Sequence, residues 1–264
     1  MRQLERGRHM GGMERYWESR ELTAEREWTV EGIPVLTATV ALPWPAEGQR
    51  SSLSGQSQSR RAARKHIRRI QRYYKAQCRA FLRYCESALF PMAADACRAA
   101  LAASAPLPCF HAELSYQVTY DHGGFWSLYT QVQEPVLDGS PLLRRWGDTW
   151  DLRTGQLVPL GQFFPPRSGW RRQLPALAAQ AIQAQEESGC SRYLPGWRHL
   201  VRRRFDPLRY YLTEAGLAFF YPMYAIAPAI EGIPVFTVPY GGGLRCCLPG
   251  TVPEGSTSSA EAGN

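Results

Sequence analysis

FDPLRYYLTEAGLAFFYPMYAIAPAIEGIPVFTVPYGGGL, residues 205–244, decides the fold. Two apolar runs, 209–212 and 217–221, flank Thr213-Glu214-Ala215-Gly216, where Gly216 supplies the positive φ that closes a tight hairpin. A third run, 235–238, follows a segment punctuated by Pro222, Pro228, Gly232 and Pro234. That segment is too rich in proline to be helical and too apolar to float in water. The reading is a β-meander with a packed crossing loop at 221–231, against which the upstream chain packs.

Upstream, residues 110–160 read as antiparallel strands at 112–120, 125–133 and 148–152. Asp121-His122-Gly123-Gly124 and Arg153-Thr154-Gly155 make the turns. Residues 60–89 form a long amphipathic helix: Ala63, Ile67, Ile70, Tyr74, Cys78, Phe81 and Cys85 fall on one seam, with Arg61, Lys65, Arg68, Arg69, Arg72, Arg79 and Arg83 opposite. Pro91 is expected to end that helix, with a short second one at 95–103. A further amphipathic helix spans 170–185, interrupted early by Pro175. Residues 35–42 alternate as a strand that Pro43-Trp44-Pro45 stops, and 48–59 form a loop. Residues 1–27 read as a polar, disordered lead-in with order starting at Trp28, and residues 249–264 as a disordered tail. Glu-Gly-Ile-Pro-Val occurs at 31–35 and again at 231–235; it is either a diverged repeat or the same turn-to-strand chemistry used twice.

The chain of 264 residues is 44% hydrophobic and 20% charged, ordinary for a globular protein. Its formal charge of +8 permits an anionic partner without choosing one. The seven cysteines lack C-x-x-C spacing, so no metal site is implied, and Cys78 and Cys85 read as buried free thiols. Unpaired thiols and the lack of an apolar leader or spanning run point to a reducing compartment. The vicinal Cys246-Cys247 pair is a redox candidate.

No Gly-x-Ser-x-Gly elbow, phosphate loop or dinucleotide fingerprint occurs. Five scattered histidines form no metal-ligand pair, so neither catalytic residues nor a cofactor is expected. Cys109 with His111 or His122 can be written as a nucleophile and base, and residues two apart on a strand share a face, but an oxyanion device and an orienting third group are lacking. Asp148 and Asp151, at a strand end, suit turn and cap hydrogen bonds. The basic helix face is the strongest electrostatic feature. Arg68, Arg72, Arg79 and Arg83 are its candidate ligand contacts, for nucleic acid or another polyanion, although such a face also suits a solvated outer surface.

Two separated segments carry a family resemblance. One is Leu212-Thr213, Gly216-Leu217, Tyr224, Ile226-Ala227-Pro228, Gly232-Ile233-Pro234, Phe236 and Pro239-Tyr240; the other is Asp151-Leu152-Arg153-Thr154-Gly155 followed by Leu160 and Phe163-Phe164. Together they resemble the RsiV-type C-terminal domain, found in the lysozyme-sensing anti-sigma factor RsiV and beside the catalytic domain of the peptidoglycan deacetylase PdaC. Ala225 stands where that family often has an acidic residue. The resemblance implies a non-enzymatic α+β binding module outside the membrane, with a lysozyme-like protein or an anionic envelope polymer as partner. Tyr224 and Tyr240 are the motif residues with polar tips for a ligand.

The expected architecture is α+β, an antiparallel β-sheet covered by a long amphipathic helix and shorter helices. Residues 28–110 would form a strand-and-helix subdomain and 111–248 a β-rich domain.

Overall fold

Strand structure starts at Trp17, eleven residues before the Trp28 at which the sequence reading began it, in a computed structural model that describes residues 17–47, 57–137, 139–190 and 192–241. Strand β1 (Trp17–Val30) pairs antiparallel with β2 (Ile33–Glu47) along its length. Its signal is a period of two: Leu22, Ala24, Trp28 and Val30 turn to the core while Glu21, Thr23, Glu25 and Glu27 face water. Pro43 and Pro45 do not stop β2. Its pairing with β3 (Phe110–His122) ends at Val40, and prolines at alternate positions fit the side that carries no further ladder. Residues 1–16, the tail and Cys246-Cys247 lie outside the described residues.

The helix begins at Ser57 and runs past Pro91. Helix α1 (Ser57–Tyr84) passes through one π-turn (Cys85–Leu89) into α2 (Phe90–Ala102). The Phe90 N–H bonds the Cys85 carbonyl, so the widened turn immediately precedes Pro91 and relieves the clash its ring would otherwise cause. This crossover makes β2 and β3 the parallel pair in a sheet that is otherwise antiparallel.

Strands β4 (Phe125–Glu134), β5 (Leu142–Asp151) and β6 (Gln156–Leu157) complete a six-stranded sheet of order β1-β2-β3-β4-β5-β6. It is continuous across residue 110, where the sequence reading divided the chain. Alternation along β4 builds two cores. Trp126, Leu128 and Val132 face α1 and α2, joining Ile70, Tyr74, Phe81 and Cys85, whereas Phe125, Ser127 and Tyr129 face the opposite way.

The second core holds α3 (Trp170–Glu187), α4 (Trp197–Arg204) and the meander β7 (Tyr210–Leu212), β8 (Gly216–Phe220), β9 (Val235–Pro239), a three-stranded antiparallel sheet. The meander is therefore present as read. Gly216 has φ +155, but a Cβ there would also meet the Val238 carbonyl oxygen at 2.1 Å, so close strand approach is what demands glycine. Pro175 sits inside α3 without ending it.

The small sheet stands with its β7 edge against the face of the large one. Two outward backbone groups of β7 are accommodated there. Leu212 N–H donates to Ser127 Oγ at 2.8 Å, and the Tyr210 carbonyl faces Gly147, which has no side chain to obstruct it. Ser127 Oγ also bonds Thr149 Oγ1 at 2.7 Å. Ser127→Ala should strand the buried Leu212 N–H and cost about 1–3 kcal/mol in urea unfolding. A loss under about 0.5 kcal/mol would show that this edge is satisfied otherwise.

The two Glu-Gly-Ile-Pro-Val segments occupy different settings. The first closes the β1–β2 hairpin, with Glu31 and Gly32 at positive φ; the second leaves a 3-10 turn (Ala229–Glu231) to enter β9, with Gly232 at φ +64. Both use a positive-φ glycine before a strand.

Candidate functional site

Helix α1 contains no aspartate or glutamate over Ser57–Tyr84. Its apolar seam covers β2, with Ile70, Tyr74, Cys78 and Phe81 buried, and that docking fixes which face meets water. Arg61, Lys65, Arg68, Arg72, Arg79 and Arg83 are all exposed, and Lys75 extends the row. At 1.5 Å per residue the ridge is about 33 Å long, with a cation about every 5 Å. Among the described residues no carboxylate pairs with any of them. Glu86, just beyond, is engaged by Arg26 at 3.2 Å. Arg72 Nε donates to the Arg68 carbonyl at 3.2 Å, which lays its guanidinium along the helix surface.

The two tyrosines part company. Tyr224 is exposed and adopts φ +65, a conformation rare for an aromatic residue. Tyr240 is half-buried; its hydroxyl donates to the Thr213 carbonyl at 3.0 Å and its ring meets Tyr120 edge-on. Its polar tip therefore helps close the β7–β8 hairpin. The Arg ridge belongs to the helix layer and Tyr224 to the loop after β8, so they form two separate surfaces.

The two buried carboxylates, Asp148 and Glu134, lie between α1 and the sheet. Asp148 is 3% exposed and accepts hydrogen bonds from Tyr73 (2.9 Å) and Tyr74 (3.2 Å), while Trp150 Nε1 donates to the Tyr74 hydroxyl at 2.9 Å. This differs from the turn role expected for Asp148, because β5 begins earlier than read and places it within the sheet. Burial pushes its carboxyl from 3.8 up to about 6, against the two tyrosine hydrogen bonds that pull it down. Burial likewise drives Tyr74 well above the usual phenol range. Asp151 does serve its turn, accepting the Arg153 N–H at 2.9 Å.

A second cluster joins α1 to the β4–β5 hairpin. Glu134, 4% exposed, accepts from Tyr84 at 2.8 Å and Arg144 at 2.9 Å. Both clusters are covered by α1 and tie helix to sheet; neither presents an open acid–base pair.

Cys78, Cys85 and Cys97 are buried free thiols, and burial raises Cys85 to about 12, far from thiolate chemistry. Exposed Cys109 precedes His111, whose Nε2 lies 3.2 Å from Thr39 Oγ1, while His122 sits at the other end of β3 against Glu214. Among the described residues no three of His, Cys, Asp and Glu converge as a metal ion would require, and no helix is long and apolar enough to cross a membrane.

Sequence reasoning missed Lys75, which continues the ridge. It also missed Leu208 and Ile230, apolar residues left in water at 77% and 85% exposure. Their signal was an aliphatic residue inside a proline turn, Asp206-Pro207-Leu208 and Pro228-Ala229-Ile230.

Residues 162–241, spanning α3, α4 and the small sheet, match the family described as Protein of unknown function (DUF3298). The Asp151–Gly155 turn lies outside that match. No curated protein matches the chain. Among solved structures, a DUF3298-family member from Bacteroides fragilis has a similar fold, with TM-score 0.56 and 14% identity over 85% of this chain and 90% of that one. A DUF3298-family protein from Pseudomonas aeruginosa aligns at TM-score 0.48 and 14% identity, over 88% of this chain and 94% of that one.

Proposed function

We propose that the protein is a recognition module that holds an extended anionic polymer of the cell envelope along α1, and that it is not a catalyst. The observation that carries this reading is the ridge itself: a helix without a single carboxylate, seven of its exposed cations in one row about 33 Å long. A solvated surface helix gains a few tenths of a kcal/mol from each interspersed i,i+4 acid–base pair, whereas like charges at that spacing repel. This helix accepts that repulsion along its whole length. A polyanion lying on the row removes it and releases its own counterions.

The envelope is favoured as the source by the RsiV-type likeness of the meander and of the Asp151–Gly155 turn. The DUF3298 match over 162–241 is compatible with that likeness. The ridge would hold the polymer as a row of point and fork donors, Arg68, Arg72, Arg79 and Arg83 pairing with phosphate or carboxylate groups.

Sedimentation with cell-wall polymer bearing anionic chains tests the reading, with duplex DNA and lysozyme as parallel arms. Retention should be strong at low salt and fall steeply with added salt. Arg68→Glu with Arg72→Glu should weaken it at least about tenfold, since each reversal replaces an attraction by a repulsion. Retention unchanged by that double reversal sinks the proposal. DNA held about tenfold more tightly than wall polymer would assign the ridge to nucleic acid instead. Lysozyme bound with the ridge reversed would place recognition in the crossing loop.

A further inference from the structure

We infer that the end of the small sheet opposite the Thr213–Gly216 turn is a docking surface for an anionic lipid bilayer. Three chain segments meet at this end: the entry to β7, the exit of β8 and the entry to β9. Phe220 N–H bonds the Arg209 carbonyl and Tyr221 N–H the Pro234 carbonyl, so the three ends lie side by side, across roughly 10 Å at the usual strand spacing.

Each segment presents one large apolar side chain outward on a fixed turn. Leu208, 77% exposed, follows Pro207, and its N–H is held by Asp206 Oδ1 at 2.9 Å. Tyr224, 53% exposed, sits at φ +65 in a turn closed by Ala225 N–H on the Pro222 carbonyl. Ile230, 85% exposed, rides a 3-10 turn between Pro228 and Gly232. Tyr221, Met223, Ile226 and Ala227 around Tyr224 are buried, while the residues flanking Leu208 and Ile230 are half-buried, so the three tips project beyond their neighbours. Exposure of single aliphatic residues is common, but three held on constrained turns at one strand end form a built feature.

Cations surround them. The last turn of α4 carries Arg202, Arg203 and Arg204, all exposed, and is pinned beside the exit of β8 by the Tyr221 hydroxyl on the Val201 carbonyl at 2.9 Å. Arg192 is brought to the same end because its N–H bonds Glu231 Oε1 at 2.8 Å. Both carboxylates here are already engaged: Glu231 by that bond, Asp206 by the Leu208 N–H and by Arg209 Nε at 3.0 Å. Aliphatic tips, an aromatic with a polar end and a collar of arginines are what a headgroup layer over hydrocarbon complements: the tips enter the acyl boundary, the tyrosine sits at the headgroups and the guanidiniums meet phosphate. A protein partner would be expected to place counter-charge and shape at the edges of the tips. A bilayer needs only the charge and the protrusion observed.

The test uses the full chain and flotation with vesicles of equal parts phosphatidylglycerol and phosphatidylcholine, against phosphatidylcholine alone. To separate this surface from the ridge, the measurement is repeated with Arg68→Glu, Arg72→Glu and Arg79→Glu combined. Binding should persist within about threefold in that background, because these arginines lie on another surface. Leu208→Glu with Ile230→Glu should lower it at least about tenfold, and Arg202→Glu with Arg203→Glu by a similar factor, while pure phosphatidylcholine binds weakly. Both apolar positions are solvent-exposed, so the variants should fold, which an unchanged near-ultraviolet spectrum checks. No binding to anionic vesicles overturns the inference. So does binding that ignores the Leu208 and Ile230 substitutions, or that vanishes with the ridge alone.

Discussion

Gly147→Ala is expected to remove more than about 4 kcal/mol of stability, a large share of the roughly 5–15 kcal/mol that holds an ordinary domain folded. A Cβ at this position would stand 1.8 Å from the Tyr210 carbonyl oxygen and 2.7 Å from its carbon. Both are backbone atoms of β7, so no side-chain rotation relieves the overlap. Either β5 or the whole β7 edge must move, and movement would draw Leu212 N–H away from Ser127 and part Tyr129 from Tyr211, whose ring centroids lie 5.2 Å apart. Gly123→Ala provides the comparison. It has positive φ but nothing within 4 Å of its Cβ, so it should cost about 1 kcal/mol of backbone strain. Thermal unfolding of the two variants measures the difference. Equal melting temperatures would mean that the small sheet does not rest its edge on β5.

That contact explains what could be read in the chain and what could not. The meander was legible because its strands announce themselves locally: Tyr210 to Leu212, Leu217 to Phe220 and Val235 to Val238 lie between turn residues, and each needs only its neighbours to pair. The basic ridge was legible for the same reason, since Arg61 to Arg83 repeat with the helix period. Gly147 gave no comparable sign. In LLRRWGDTWD it is one glycine in a strand, and its reason is a carbonyl sixty-three residues away in the sequence. Pro91 misled because a proline's usual effect assumes α-helical hydrogen bonding, and the π-turn ahead of it changes the register. Residues 17–27 misled by composition: charges on the solvent side of an edge strand look like a lead-in unless Leu22, Ala24 and Trp28 are counted in twos. The surface at Leu208, Tyr224 and Ile230 was invisible because three turns far apart in sequence are gathered only when β7, β8 and β9 align.

Asp148 supplies the other large effect, as a dependence of stability on pH. The carboxyl lies between α1 and β5, and its partners in the fold are the hydroxyls of Tyr73 and Tyr74. Their two hydrogen bonds favour the charged form but do not repay the loss of water, so the folded protein holds the proton up to about pH 6, whereas the unfolded chain releases it near 3.8. The stabilisation from protonated Asp148 is therefore fully present below about pH 4 and is lost as pH rises through about 6, a change worth about 3 kcal/mol. A neutral amide in its place would carry no such charge at any pH in this range. In Asp148→Asn, stability relative to the parent should climb by about 3 kcal/mol between pH 4 and pH 7 and then level off. Urea unfolding of both proteins across that range measures the difference, in which titrations common to the two cancel. Tyr73→Phe removes one of the two bonds to the carboxylate, so the parent's pH transition should move higher in that variant. A difference between Asp148→Asn and parent that stays flat from pH 4 to pH 7 would mean Asp148 is ionised throughout. The polar seam under α1 would then be hydrated instead of sealed between the helix and the sheet.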